Sequence, residues 1–149
     1  MRKVVKFGGS SLASAEQFRK VGDIIRADES RRYVVPSAPG KRFSADTKVT
    51  DLLYQCYQAA EKGGAEFNAV LSEIKSRYQE IIDGLELSIS LEKDFGIIEE
   101  NFKKQIGEEY AASRGEFLNG KVMADYLGFE FVDAARIIVL TGRDSLTRR

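Results

Sequence analysis

At 149 residues and 43% hydrophobic content, the chain is long enough for one domain with a real core and too short for two ordinary ones. Lys plus Arg balances Asp plus Glu at 23 each, so no net field recruits nucleic acid or an anionic membrane. Histidine is absent and Cys56 is the single cysteine, which excludes Ser-His catalysis, His-metal chemistry and an internal disulfide. Chemistry must therefore run on Lys, Arg, carboxylates, hydroxyls and backbone groups. The lone thiol fits a reducing, cytoplasmic setting, and neither a signal-peptide core nor an apolar run of membrane-spanning length is expected.

The first predicted element is a buried strand, Lys3–Phe7, feeding the glycine turn of "KFGGSSL". Ser14 followed by Gln17 reads as a capping box, and Phe18, Val21, Ile24 and Ile25 then keep helical spacing. "RRYVVPSAPG" (31–40) is a second short strand that Pro36 and Pro39 turn into a rigid loop. A helix is expected over 47–60, stopped by Gly63 and Gly64, and another over 67–82. Phe95, Ile98, Phe102 and Ile106 mark a further helix, and 116–127 is amphipathic and ends at Gly128. Residues 129–132 and 137–140 read as short apolar strands, and "TGRDSLTRR" (141–149) as an irregular tail. The order predicts an α/β fold: a layered, mostly parallel sheet of about three or four strands flanked by helices, with a helical block in the middle.

Four stretches have residue types suited to chemistry. In the first, Gly8 and Gly9 let a phosphate approach the main chain, Ser10 follows, and Lys6 would neutralise a transferring phosphoryl group. A helix beginning just beyond would add its positive end; the plainer reading is a strand-to-helix turn with an exposed lysine. The second is "PSAPGKR", where Ser37 offers a hydroxyl at a strand's C-terminal end, unless it is only a proline-stiffened connection. In "TKVTDLL", Thr50 or Asp51 could cap a helix; the alternative is a threonine hydroxyl reaching a substrate carboxylate. In "SRGEFLNGK", Arg114 suits a carboxylate and Glu116 an ammonium, at what reads as a helix entrance; Ser113 with Glu116 also fits a capping box. Gly120, inside that helix, points to close packing or ligand approach. No metal ligand set is read from the chain.

Taken in order, "KFGGSSL", "VVPSAPGKR", "TDLL" and "SRGEFLNGKVMADYLGFEFVDAA" resemble the N-terminal half of the catalytic domain of aspartate kinases, in the amino-acid kinase superfamily, from about Val4 to Leu140. The resemblance implies transfer of phosphate from MgATP to the β-carboxylate of L-aspartate, the first step towards lysine, threonine and methionine. It implies Lys6 as the group on the transferred phosphoryl, and Gly8, Gly9 and Ser10 as the loop beneath the ATP phosphates. Ser37 lies near the reacting groups in this reading, and Thr50 near aspartate. Arg114, Gly115 and Glu116 form the segment that holds aspartate, with Glu116 on its ammonium. No histidine is required, because the nucleophile is already a carboxylate.

The family continues beyond this point, through an arginine- and glycine-rich segment, adenine-binding residues and usually ACT domains, and 141–149 does not resemble that continuation. Residues 1–140 are accordingly expected to form a partial catalytic domain without an ACT domain, inactive alone, from a parent that forms homo-oligomers. The alternative is a non-catalytic module that binds an amino acid or complements another chain.

Overall fold

The computed structural model describes residues 1–133. Strand β1 (Lys3–Phe7) and strand β2 (Arg31–Pro36) pair in parallel, with Val4 opposite Tyr33, Lys6 opposite Val35 and Phe7 opposite Pro36. Two parallel neighbours need a crossover, and helix α1 (Ala15–Arg26) supplies it. Ser14 caps α1 as its spacing predicts, its Oγ accepting the Gln17 N–H at 3.3 Å. Because side chains alternate along a strand, Val5, Phe7 and Val34 pack against the core while Val4, Tyr33 and Val35 stay exposed on the other face with Lys6.

The remaining described elements are helical: α2 (Val49–Ala60), α3 (Ala65–Gly84), α4 (Glu92–Lys103) and α5 (Glu108–Leu127). Helix α2 packs between α3 and α5, and α5 reaches β2, so the helical block forms the floor under one face of the sheet. Its contacts are mostly apolar, with Tyr57 and Phe102 meeting edge to face at 5.4 Å. Among the described residues, no helix is long and apolar enough to cross a membrane.

The structure differs from the sequence expectations at several points. The 129–132 segment is not a strand, because its first backbone donor is used elsewhere: Phe129 N–H closes the end of α5 on the Ala124 carbonyl at 2.9 Å, after Gly128 turns left-handed at φ 72°. The described sheet has two strands, and the expected strand at 137–140 and tail at 141–149 lie outside the described residues. Helix α5 begins at Glu108, so Ser113–Glu116 lies inside it rather than at an entrance. Ser113 does not cap; its hydroxyl donates to the Tyr110 carbonyl at 2.7 Å. Helix α2 starts after Lys48, so neither Thr50 nor Asp51 is its N-cap. Helix α4 stops at Lys103, and the positive φ of Gln105 (54°) leaves Ile106 half exposed. Close packing accounts for Gly120, where an added Cβ would sit 3.0 Å from the Phe131 ring.

Cys56 lies fully buried on α2, and burial pushes its thiol up to about 12. A thiol-specific reagent at about pH 8 should therefore modify Cys56 only as fast as the chain unfolds. Labelling of the folded protein at the rate of a free thiol would contradict this burial.

Candidate active site

The two loops that leave β1 and β2 at the same end of the sheet touch through their main chains. The ladder runs one bond past the strands, Ser37 N–H donating to the Phe7 carbonyl at 3.0 Å. The Gly40 N–H then reaches the Gly9 carbonyl at 2.8 Å. Neither position has room for a side chain: a Cβ on Gly9 would lie 2.9 Å from the Ala38 carbonyl oxygen, and one on Gly40 only 2.6 Å from the Gly9 carbonyl carbon. Gly8 is different. Its φ of −77° suits any residue, and apart from its chain neighbours no described residue comes within 4 Å of where its Cβ would be.

Beyond Gly8 the chain makes a short 3-10 turn, Gly9–Leu12, before α1 begins at Ala15. The positive end of α1 is therefore at its Ser14 cap, not directly beside the glycines as the sequence suggests. Lys6 is exposed on the open sheet face and makes no ion pair with the described residues, and Ser10 is exposed as well.

The carbonyl side of the second loop is held from below. Val49 N–H, at the start of α2, donates to the Pro39 carbonyl at 3.0 Å. The Arg77 guanidinium, rising from α3 and 3% exposed, donates to the Gly40 and Thr47 carbonyls, each at 2.7 Å. Asn119 Nδ2, on α5, donates to the Ser37 carbonyl at 2.7 Å. Asp46 accepts from Arg42 at 2.7 Å and lies 3.7 Å from Arg77; the bond from Arg42 holds its carboxyl well below the usual carboxylate range. Burial in turn pulls the Arg77 guanidinium below its ordinary value.

The structure thus brings Lys6, Gly8, Gly9, Ser10 and Ser37 to one end of the sheet. Gly115 packs beneath them, where a Cβ would come 2.6 Å from that of Ala38 and 3.2 Å from Leu53. Thr50 sits half-buried on the first turn of α2. Glu116 opens into a shallow groove with Tyr54, Glu108, Glu109, Ala112 and Ser113. Arg114 does not join it. Two helical positions are about 200° apart around the axis, and the Arg114 guanidinium is stacked between Tyr110 at 4.6 Å and Phe117 at 4.4 Å while donating to Ser113 Oγ.

Arg77 and Asn119 are not singled out by motif. The signal for both is a polar residue on an apolar helical face: Arg77 among Ile74, Tyr78 and Ile81, and Asn119 between Leu118 and Val122.

Gly40→Ala should cost about 1–3 kcal/mol in urea denaturation through overpacking, while Gly8→Ala should stay within about 0.5 kcal/mol of the parent. Equal costs would mean that the Gly9–Gly40 approach is not tight. Arg77→Met should cost about 3 kcal/mol by leaving the Gly40 and Thr47 carbonyls without their donor, while Asp46 keeps its bonds from Arg42. With the folded Asp46 value depressed, its contribution is present above the unfolded value of about 3.9 and fades as pH falls through the folded one. The Asp46→Asn variant should therefore lose less stability than the parent below about pH 4, and parallel acid curves would remove this coupling.

Comparison with known proteins gives a consistent picture. The chain matches the Amino acid kinase family over residues 1–147. It is 39% identical to Aspartokinase 3 of Bacillus subtilis over 140 residues, an alignment covering 89% of this chain and 30% of that protein. It is similar to the crystal structure of Clostridium acetobutylicum aspartate kinase, with a TM-score of 0.81, 45% identity, and coverage of 87% of this chain and 29% of the other. Escherichia coli aspartokinase III in complex with aspartate and ADP shares the fold at a TM-score of 0.65 and 22% identity, over 85% of this chain and 29% of that one. The chain thus spans about 30% of the length of the relatives it matches. With its parallel pair, its joined glycine loops and these relatives, the chain belongs to the amino acid kinase family.

Proposed function

We propose that residues 1–140 contribute the phosphate-side loops and part of the acceptor side of an aspartate kinase, which transfers the γ-phosphoryl of MgATP to the β-carboxylate of L-aspartate. The observation that carries this reading is Gly8, a glycine for which the described structure supplies neither a positive φ nor a crowding neighbour. A ligand lying on the main chain supplies the reason, since an absent Cβ lets an oxyanion reach the backbone. The similarity to aspartokinases supports the same assignment.

In the reaction an oxygen of the β-carboxylate forms a bond to the γ-phosphorus as the bond from phosphorus to the ADP oxygen breaks. Little covalent work falls to the protein, so positioning and charge neutralisation carry the rate. Lys6 stabilises the transferring phosphoryl, Gly8, Gly9 and Ser10 lie beneath the phosphates, and Ser37 presents its hydroxyl near the reacting groups. Glu116 meets the aspartate ammonium, and its groove suits a cation because Glu108 and Glu109 line it as well. Thr50 lies near the acceptor, and Gly115 keeps α5 close enough for Glu116 to serve. Arg114 contributes by bracing Ser113. Among the described residues no three His, Cys, Asp or Glu side chains converge on one point, and the reading assigns Mg2+ to the nucleotide. The product, β-aspartyl phosphate, leads towards lysine, threonine and methionine in the cytoplasm, and the complete kinase acts as a homo-oligomer.

Thermal-shift titration tests the assignment, since binding to the folded state raises the melting point by linkage. L-aspartate and MgATP should each raise it and L-glutamate should not; a larger rise with glutamate would overturn the acceptor. Glu116→Ala should weaken aspartate about 10–100-fold by removing a charge-assisted bond. In a chain competent for transfer, Lys6→Ala should lower turnover more than substrate affinity. Normal turnover in that variant would remove the role given to Lys6.

A further inference from the structure

Asn119 is fully buried, and its amide orientation is fixed by chemistry. The Ser37 carbonyl can only accept, so the group 2.7 Å from it must be the donating Nδ2. The other end of the amide gains nothing: Oδ1 is buried without a hydrogen-bond partner among the described residues. Orphaned polar atoms are few in native interiors, and each costs free energy that an apolar side chain of the same size would avoid. Packing alone would therefore favour leucine here. The amide is retained for what Nδ2 does.

What Nδ2 does is fix the peptide unit that follows Ser37, through its carbonyl. The N–H of Ser37 is already bound to the Phe7 carbonyl, and the next residue, Ala38, rests against Gly115. With the peptide units before and after Ser37 held, one by the Phe7 carbonyl and the other by Asn119, the side chain of Ser37 leaves the loop in one direction. The Ser37 hydroxyl makes no hydrogen bond with the described residues. Glu116 lies three residues before Asn119 on α5, a spacing of nearly one turn. The helix that carries the proposed ammonium contact thus also grips the loop that carries the proposed hydroxyl contact.

We propose that Asn119 is a positioning residue that holds the Ser37 hydroxyl in register with the acceptor groove on α5. This rests on the aspartate kinase reading above and adds to it a determinant of acceptor binding that does not itself touch the acceptor. Asn119→Asp keeps the shape and replaces the donor by an oxygen facing another oxygen. Asn119→Leu keeps the approximate volume and removes both polar atoms.

The test combines calorimetric titration of the 149-residue chain and both variants with L-aspartate, and amide hydrogen exchange followed by NMR. Both variants should weaken L-aspartate about tenfold or more, the value of one lost hydrogen bond. In both, exchange at the Ser37 and Gly40 amides should accelerate about tenfold relative to Ile81 in α3, which separates local release from general destabilisation. Wild-type affinity together with unchanged relative exchange in either folded variant would overturn the proposal. If Asn119→Leu fails to fold, Asn119→Asp decides by the same two readouts. If the parent chain itself binds no L-aspartate, the functional reading fails for this chain, and the exchange ratio alone decides whether Asn119 holds the loop.

Discussion

Two backbones meet at Gly9 and Gly40 with space for a hydrogen bond and none for a side chain. Most of the candidate site depends on that approach. It carries the β1–β2 pairing past the point where Pro36 can no longer donate, and it fixes where Ser37 and Ala38 sit above α5. Parallel pairing of two short strands is weak by itself. The loops are therefore kept together by what lies under them, namely the N-terminus of α2, the guanidinium of Arg77 and the amide of Asn119.

The core under the loops contains polar groups where apolar ones would fit. Arg77, Tyr78 and Asn119 each direct a donor at a main-chain carbonyl: those of Gly40 and Thr47, of Gly115, and of Ser37. Two of the three also have an atom without a hydrogen-bond partner among the described residues, Arg77 Nε and Asn119 Oδ1. A hydrophobic contact is non-directional and would hold the loops at a distance but not at an angle. Hydrogen bonds to carbonyls set the rotation of the peptides, which decides where the intervening side chains and N–H groups point. Some stability is given up for that orientation, a balance expected around a functional site.

Most element positions were legible in the sequence because local chemistry and packing agree there. The extent of β1, the Ser14 cap of α1 and the apolar spacing of α3 all survive in the structure, although β1, expected to be buried, leaves Val4 and Lys6 exposed. Helix α5 was misread at its start because Ser113 and Glu116 imitate a capping box, while its true start at Gly107 depends on a φ of 146° that only glycine tolerates. The 129–132 segment has strand-like composition, but its first donor is taken by the end of α5 and Phe131 lies across Phe117 at 5.6 Å. The glycines and Lys6 were visible as a motif. Arg77 and Asn119 were not, because a polar residue on an apolar helical face indicates burial and no more; its meaning depends on which carbonyl the fold brings opposite it.

Sequence separation gives the clasp a history. Gly40 and Arg77 are 37 residues apart, and Ser37 and Asn119 are 82 apart. At a synthesis rate of about 5–20 residues per second, Ser37 is made roughly 4–16 s before Asn119. During that interval the loops lack the Asn119 amide that orients the peptide after Ser37. The site is thus assembled from its floor upward in time as well as in space, and a nascent chain ending before α5 would carry the whole glycine motif without the shape that gives it meaning.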